Sequence, residues 1–163
     1  MSPPKQLITV MVRESLAQGQ PVWLTVISGS MRPFLEIGDE VRVESCAVEA
    51  LQTGDIIVVE EDGSTLTHRF YKYTAAGELL IRGDNYSVFD PPLPVEAFIG
   101  RVTGRRRGAD TLGFDTDLGR VLHQHHAQWA TRESRWLARL GRNPQAPSLA
   151  KKVTHRLFLF LSS

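Results

Sequence analysis

Between Val22 and Val102 the chain carries six short runs rich in Val, Ile, Thr and aromatic residues: "VWLTVI", "DEVRVE", "DIIVVEE", "TLTHRFYKY", "ELLIRG" and "FIGRVTG". Branched and aromatic side chains in runs of this length favour strands, and the Gly-Asp, Asp-Gly and Ala-Gly pairs between them supply turns. "EDGST" joins two of the runs with a hairpin signal. Nothing alternates a strand with a long helix, which argues against a doubly wound α/β fold. The pattern predicts a mainly β fold, a compact and mostly antiparallel sheet or partly open barrel, over residues 21–107. In "NYSVFDPPLP" three prolines follow Asp90 closely and impose an extended, irregular loop.

The flanks differ from this centre. Residues 1–20 read as a short amphipathic helix with Leu7, Val10, Met11 and Leu16 near one face. The same segment lacks a basic stretch followed by a long apolar core, so it is not a signal peptide. Residues 108–163 read as a basic helical extension. "DLGRVLHQHHAQWATRESRWLARLG" places Leu118, Val121, Leu122, His125, Trp129, Trp136 and Leu140 at helical spacing, and Gly141 is its stop signal. "NPQAP" breaks the chain, and a second short helix is expected in "SLAKKVTHRLFLFLSS", with Ser148 as N-cap. The formal net charge of +1 conceals seven Lys/Arg against fourteen Asp/Glu in residues 1–100, and twelve against four in residues 101–163. The two parts therefore face different surroundings, or each other. The single cysteine, Cys46, excludes an intrachain disulfide.

One stretch, "VISGSMRPFLEIGDEV", holds more special residues than a turn needs. A serine hydroxyl is a poor nucleophile unless a base and an oxyanion site lie nearby. Ser30 follows a predicted strand and adjoins Gly29, which permits close backbone approach. Ser28 offers a hydroxyl donor beside the Ser30 backbone N–H, and together they form a candidate oxyanion site. A plain Ser/Gly turn between strands accounts for the same residues. The candidate base is His68, which shares a strand face with Leu66 and Phe70, while Thr67, Arg69 and Tyr71 share the other. A packed core histidine is the simpler reading of that pattern. Asp84 or Asp90 could orient the imidazole; for Asp84, in Gly83-Asp84-Asn85, a local cap of backbone N–H groups is the simpler reading, whereas the prolines after Asp90 fix its loop.

In order and spacing, "SGSMRP", "IGDEVRV", "TGDIIVV", "THRF", "RGDN…D" and "IGRVTG" resemble the type I signal peptidase superfamily, over about residues 22–104. The resemblance implies a signal-peptidase/LexA-like β catalytic domain in which Ser30 is the nucleophile and Ser28 assists the oxyanion. The common bacterial branch has a lysine base where this chain has His68, so the chain is similar to the Ser–His branch of endoplasmic-reticulum, archaeal and some Gram-positive enzymes. In that branch the orienting acid lies six residues beyond the Asp of Gly-Asp-Asn. That rule assigns Asp90 and leaves Asp84 a supporting role. The family carries a membrane-spanning helix ahead of its serine box; 29 residues precede Ser30 here, and none forms such a span. A soluble, cytoplasmic relative is expected, a serine endopeptidase acting on a peptide or protein substrate such as a leader segment. LexA-type repressors share the fold but use a lysine base and need a DNA-binding domain upstream.

Neither a metal nor an organic cofactor is expected. His123, His125 and His126 in "HQHH" lack a neighbouring Cys or acidic ligand, and a helix face is the simpler reading. "GRRRG" reads as a solvated turn, and no nucleic-acid reading module is visible. Two further readings stand beside the peptidase. One is a non-catalytic module that binds peptide strands on the same fold. The other is a scaffold whose basic residues 118–163 make peripheral membrane contact or pack on the acidic β-region.

Overall fold

The computed structural model of the chain describes residues 5–114 and 117–139. Its centre is one seven-stranded antiparallel sheet: β1 (Val22–Thr25), β2 (Glu40–Glu44), β3 (Ile56–Glu61), β4 (Ser64–Tyr73), β5 (Leu79–Arg82), β6 (Phe98–Arg107) and β7 (Asp110–Gly113). The order is β1-β2-β6-β3-β4-β5, with β7 pairing β6, so the sheet is open and β1 and β5 end it. Each of the six strand-like runs contributes one of the strands β1–β6. β6 and β7 form a hairpin that carries the sheet past the expected boundary at residue 107 to Gly113. "GRRRG" is therefore largely strand rather than solvated turn. Arg105 donates to the Phe34 carbonyl, while Arg106 and Arg107 pair with Glu40 and Asp39.

β3 is the middle of the structure because both of its faces are apolar. Ile56 and Val58 join a cluster with Met31, Leu35, Val41 and Val102; Ile57 and Val59 join a second with Leu51, Phe70, Leu79 and Ile81. A continuous apolar run of this length is what a strand covered on both sides requires. The β3–β4 hairpin turns on Asp62 and Gly63, with φ of 49° and 71°. Two successive positive φ values match the right-handed twist of the flanking strands, which is why Asp-Gly occurs there.

Two loops use one device before a strand. In "EIGDEV" the Asp39 carboxylate accepts the Glu36 N–H at 2.8 Å, and in "QTGDII" the Asp55 carboxylate accepts the Gln52 N–H at 2.9 Å. The intervening glycines, Gly38 and Gly54, take φ of 92° and 104°, which other residues reach only under strain. Burial pushes the Asp39 carboxyl up, but hydrogen bonds from Arg107 and the Glu36 N–H outweigh it and hold the pKa below its ordinary value.

The helices pack on faces that periodicity placed only in part, since Leu16 is buried but its expected companions are not. α1 (Lys5–Ala17) buries Thr9, Val12 and Leu16, while Leu7, Val10 and Met11 are exposed. Arg13 fixes that rotation by donating to the Phe98 and Glu96 carbonyls and pairing with Glu60. α2 (Asp117–Arg139) buries His123, His126, Ala127 and Ala130 and exposes Val121, His125 and Trp129. Its contact face is small and polar because it meets Gly54 at backbone range: a Cβ on Gly54 would lie 2.6 Å from the carbonyl carbon and oxygen of His123. Leu140, the stop at Gly141 and the second helix expected from Ser148 lie outside the described residues. Among the described residues no helix is long and apolar enough to cross a membrane.

Gly54→Ala is expected to lift α2 while leaving the sheet intact, at a cost of about 1–3 kcal/mol in stability. Hydrogen exchange by mass spectrometry checks it: protection should fall in residues 117–139 and persist in β3 and β4. Uniform protection in the variant would contradict the packing described.

Candidate active site

Ser30 sits in the segment that follows β1. Two backbone bonds close the segment at its base, Val26 N–H to Asp39 O and Gly38 N–H to Val26 O, both at 2.8 Å. Inside it Met31 and Leu35 are buried in the first core cluster, which anchors the chain immediately after the serine. Pro33 follows through a cis peptide bond. Ser30 is buried, Ser28 is exposed, and their hydroxyl oxygens are 3.2 Å apart. Beside them an open cleft of about 90 Å³ runs between the stretch Leu24–Ser28 and the start of β4 at Thr65–Thr67.

His68 lies on β4 opposite Ile57. Its Nδ1 is 2.5 Å from Asp90 Oδ2. Asp90 is delivered by the segment after β5, whose ends are tied by the Asp90 N–H to Ile81 O at 3.1 Å and by the bridge between Leu79 and Leu93. The prolines that follow Asp90 thus belong to a loop that returns to its own strand. A carboxylate on Nδ1 stabilises the tautomer with hydrogen on that nitrogen and leaves the Nε2 lone pair to take a proton. His68 Nε2 is buried and has no hydrogen-bond partner among the described residues.

Gly83 brings the two halves together. A Cβ there would lie 2.7 Å from the Ser30 carbonyl oxygen and 2.9 Å from His68 Nε2, so any side chain would wedge between them. Asn85 fastens the same loop to the serine segment. Its N–H donates to the Ser30 carbonyl at 2.8 Å, and its Nδ2 donates to the Gly29 carbonyl at 3.1 Å. The Ser30 hydroxyl is paired with Ser28, and the Ser30–His68 hydrogen bond is not made. Such bonds commonly form only when substrate is present.

Asp84 does something other than cap a turn. It is fully buried, and its two oxygens accept Arg69 Nε at 2.7 Å and Nη2 at 2.6 Å. Burial pushes its carboxyl up, but the Arg69 and His126 charges and hydrogen bonds overcome this and hold it far below the ordinary carboxylate range. Arg69 Nη1 donates to the Gly54 carbonyl at 2.7 Å and lies 3.2 Å from His123 Nδ1. His126 Nε2 is 3.3 Å from Asp84 Oδ1. The "HQHH" segment therefore sends His123 and His126 inward to an ion pair and leaves His125 exposed on the same helix.

Ser28, Ser30, His68 and Asp90 thus occupy one corner of the sheet, with Asp84 directly behind them. Gly83, Asn85, Arg69, His123 and His126 join them there without having been singled out for the purpose. The signal for Gly83 and Asn85 stood in "RGDN"; nothing local marks Arg69 and the histidines as partners. Comparison with protein-family models and with curated protein sequences finds no match for the chain.

Burial, and next the Arg69 charge, depress the pKa of His123 from 6.5 to about 3. The unfolded chain therefore binds a proton that the folded chain refuses. Stability is full above about pH 6.5 and is lost as the pH falls towards 3, by about 1 kcal/mol per pH unit. Asp84 follows the same sign in a lower window: its contribution is complete above about pH 4 and is lost only below that. Between pH 6.5 and 4 the slope thus belongs to His123 rather than to Asp84. Urea midpoints across that range should fall in the wild type and flatten in His123→Phe, whose ring fits between Phe34 and Phe114. An equal slope in the variant would remove His123 as the source.

Proposed function

We propose that this chain is a serine endopeptidase of the signal-peptidase type, with Ser30 as nucleophile, His68 as general base and Asp90 as orienting acid. The observation that carries the reading is His68 itself: Nδ1 is held by Asp90, and Nε2 is buried, unpartnered and separated from the Ser30 backbone by a residue without a side chain. A core histidine kept for packing has no need of that arrangement. The open antiparallel sheet is compatible with the signal-peptidase/LexA-like fold implied by the ordered motifs.

In this mechanism Ser30 Oγ attacks the scissile carbonyl carbon while its proton passes to His68 Nε2. The Ser28 hydroxyl and the Ser30 N–H stabilise the oxyanion. The C–N bond then breaks, and His68 returns the proton to the leaving amine. Water, deprotonated by the same nitrogen, hydrolyses the Ser30 ester and restores the hydroxyl. Asp90 stabilises the imidazolium throughout. The cleft beside Ser30, walled on one side by the edge strand β1, suits an extended peptide. The substrate is a peptide or protein segment, and the chemistry requires no cofactor.

A peptide-binding module without catalysis is the second reading, favoured by the unmade Ser30–His68 bond. Mass spectrometry of a peptide library incubated with the wild type, Ser30→Ala and Asp90→Asn separates the two. An enzyme loses cleavage by about 10³-fold or more in both variants while peptide binding persists. Wild-type protein that binds peptides but cuts none would favour the module.

A further inference from the structure

We infer that His126 of α2 is a positioning residue for Ser30 and His68, acting through Asp84, so that the helical extension is part of the active site. The inference rests on the peptidase reading for its kinetic consequence, but not for its geometry.

Asp84 is the middle residue of a three-residue bracket. On one side Gly83 stands where a Cβ would collide with both the Ser30 carbonyl and His68 Nε2; on the other Asn85 hydrogen-bonds the Ser30 and Gly29 carbonyls. A displacement of Asp84 therefore moves both contacts that set Ser30 relative to His68. Its other tie runs to Arg69, the neighbour of His68 on β4. The ion pair thus links the loop that holds the serine to the strand that carries the base.

α2 grips both ends of this link. His126 Nε2 approaches the Asp84 oxygen that also receives Arg69 Nε, and His123 Nδ1 approaches Arg69 Nη1. A third tie supports the start of the loop: Arg82 donates to the Ala130 carbonyl on α2 and to the Ser87 carbonyl. The carboxylate could reach Arg69 from several rotations about its own bonds. An imidazole nitrogen held 3.3 Å from the carboxylate by a rigid helix selects one of them. That is a reason for an imidazole at a buried position where an apolar residue would satisfy packing as well. A donor lost there lets the bracket shift, and a displacement of about 1 Å at a reacting pair can lower turnover by about 100-fold.

The test uses the full chain with His126→Phe, His126→Gln and His126→Asn. Gln carries a donor N–H where Nε2 stands, whereas Asn stops short and Phe has none. With a cleaved peptide, kcat is expected to fall about 10- to 100-fold in Phe and Asn with KM within about twofold, and to return in Gln. The same series is read by NMR of the His68 ring, whose Nδ1–H resonance should move in Phe and Asn and hold its wild-type position in Gln. Equal kcat in all four proteins, or equal losses in Gln and Asn, would overturn the inference. If Phe does not fold, the comparison of Gln with Asn still decides. If no peptide is cut and Ser30→Ala matches the wild type, the peptidase reading fails alone. The ring resonance then decides the inference, and its indifference to His126 would end it.

Discussion

The Arg69–Asp84 ion pair is the interaction on which the rest of this structure turns. Both side chains are fully buried, and neither could be there alone. Removing one partner of such a pair typically costs about 3–5 kcal/mol, because the survivor is left charged and dry. The pair is tolerated because its donors and acceptors are occupied in detail: two guanidinium bonds to the carboxylate, one to the Gly54 carbonyl, and imidazoles at either end. Burial opposes the charge on Arg69, but Asp84 more than restores it, so the guanidinium stays cationic. A salt bridge of this kind adds little to net stability compared with an apolar pair. What it does is specify one arrangement of β4, the loop after β5 and α2.

Around this pair the chain divides its labour between stiff and bent segments. β3 supplies stiffness by burying both faces, and β4 and β6 take their places by pairing with it. The bends come from glycine-aspartate steps, in which the carboxylate satisfies a backbone N–H that the turn would strand. The third such step, Gly83-Asp84, looks the same on paper and works differently. Its glycine admits a close approach and its aspartate leaves the turn altogether. Local resemblance among the three steps hides a difference that only the distant Arg69 creates.

That contrast explains what could be read in advance. Strand positions were legible because branched residues and turn pairs act locally, and the Asp62-Gly63 hairpin followed from φ alone. Ser28, Ser30, His68 and Asp90 were legible as a set through ordered motifs, and the geometry brings them to one corner. Helix faces were legible only in part: Leu16 is buried as its pattern suggests, and most of the rest is not. Periodicity assumes that the largest apolar residues point inward, yet α2 presents His123, His126, Ala127 and Ala130, because its partner surface is a charged network and a bare glycine backbone. α1 likewise turns Val12 and Leu16 inward and leaves Met11 in solvent, since Arg13 is committed to carbonyls at the start of β6. The strand character of Arg105, Arg106 and Arg107 was hidden for the same reason. Their partners Phe34, Asp39 and Glu40 lie far back in the chain.

The closure of the serine segment by two backbone bonds has a dynamic consequence. His68 sits on a strand bonded on both sides, so its amide belongs to the most slowly opening part of the molecule. Ser30 belongs to a segment held by the two Val26 bonds, by Asn85 and by Met31 and Leu35 in the core, with no ladder of its own. The two groups thus hang on different kinds of support, one on strand pairing and the other on loop contacts. A change confined to those loop contacts would alter the distance between Ser30 and His68 without unpairing a strand.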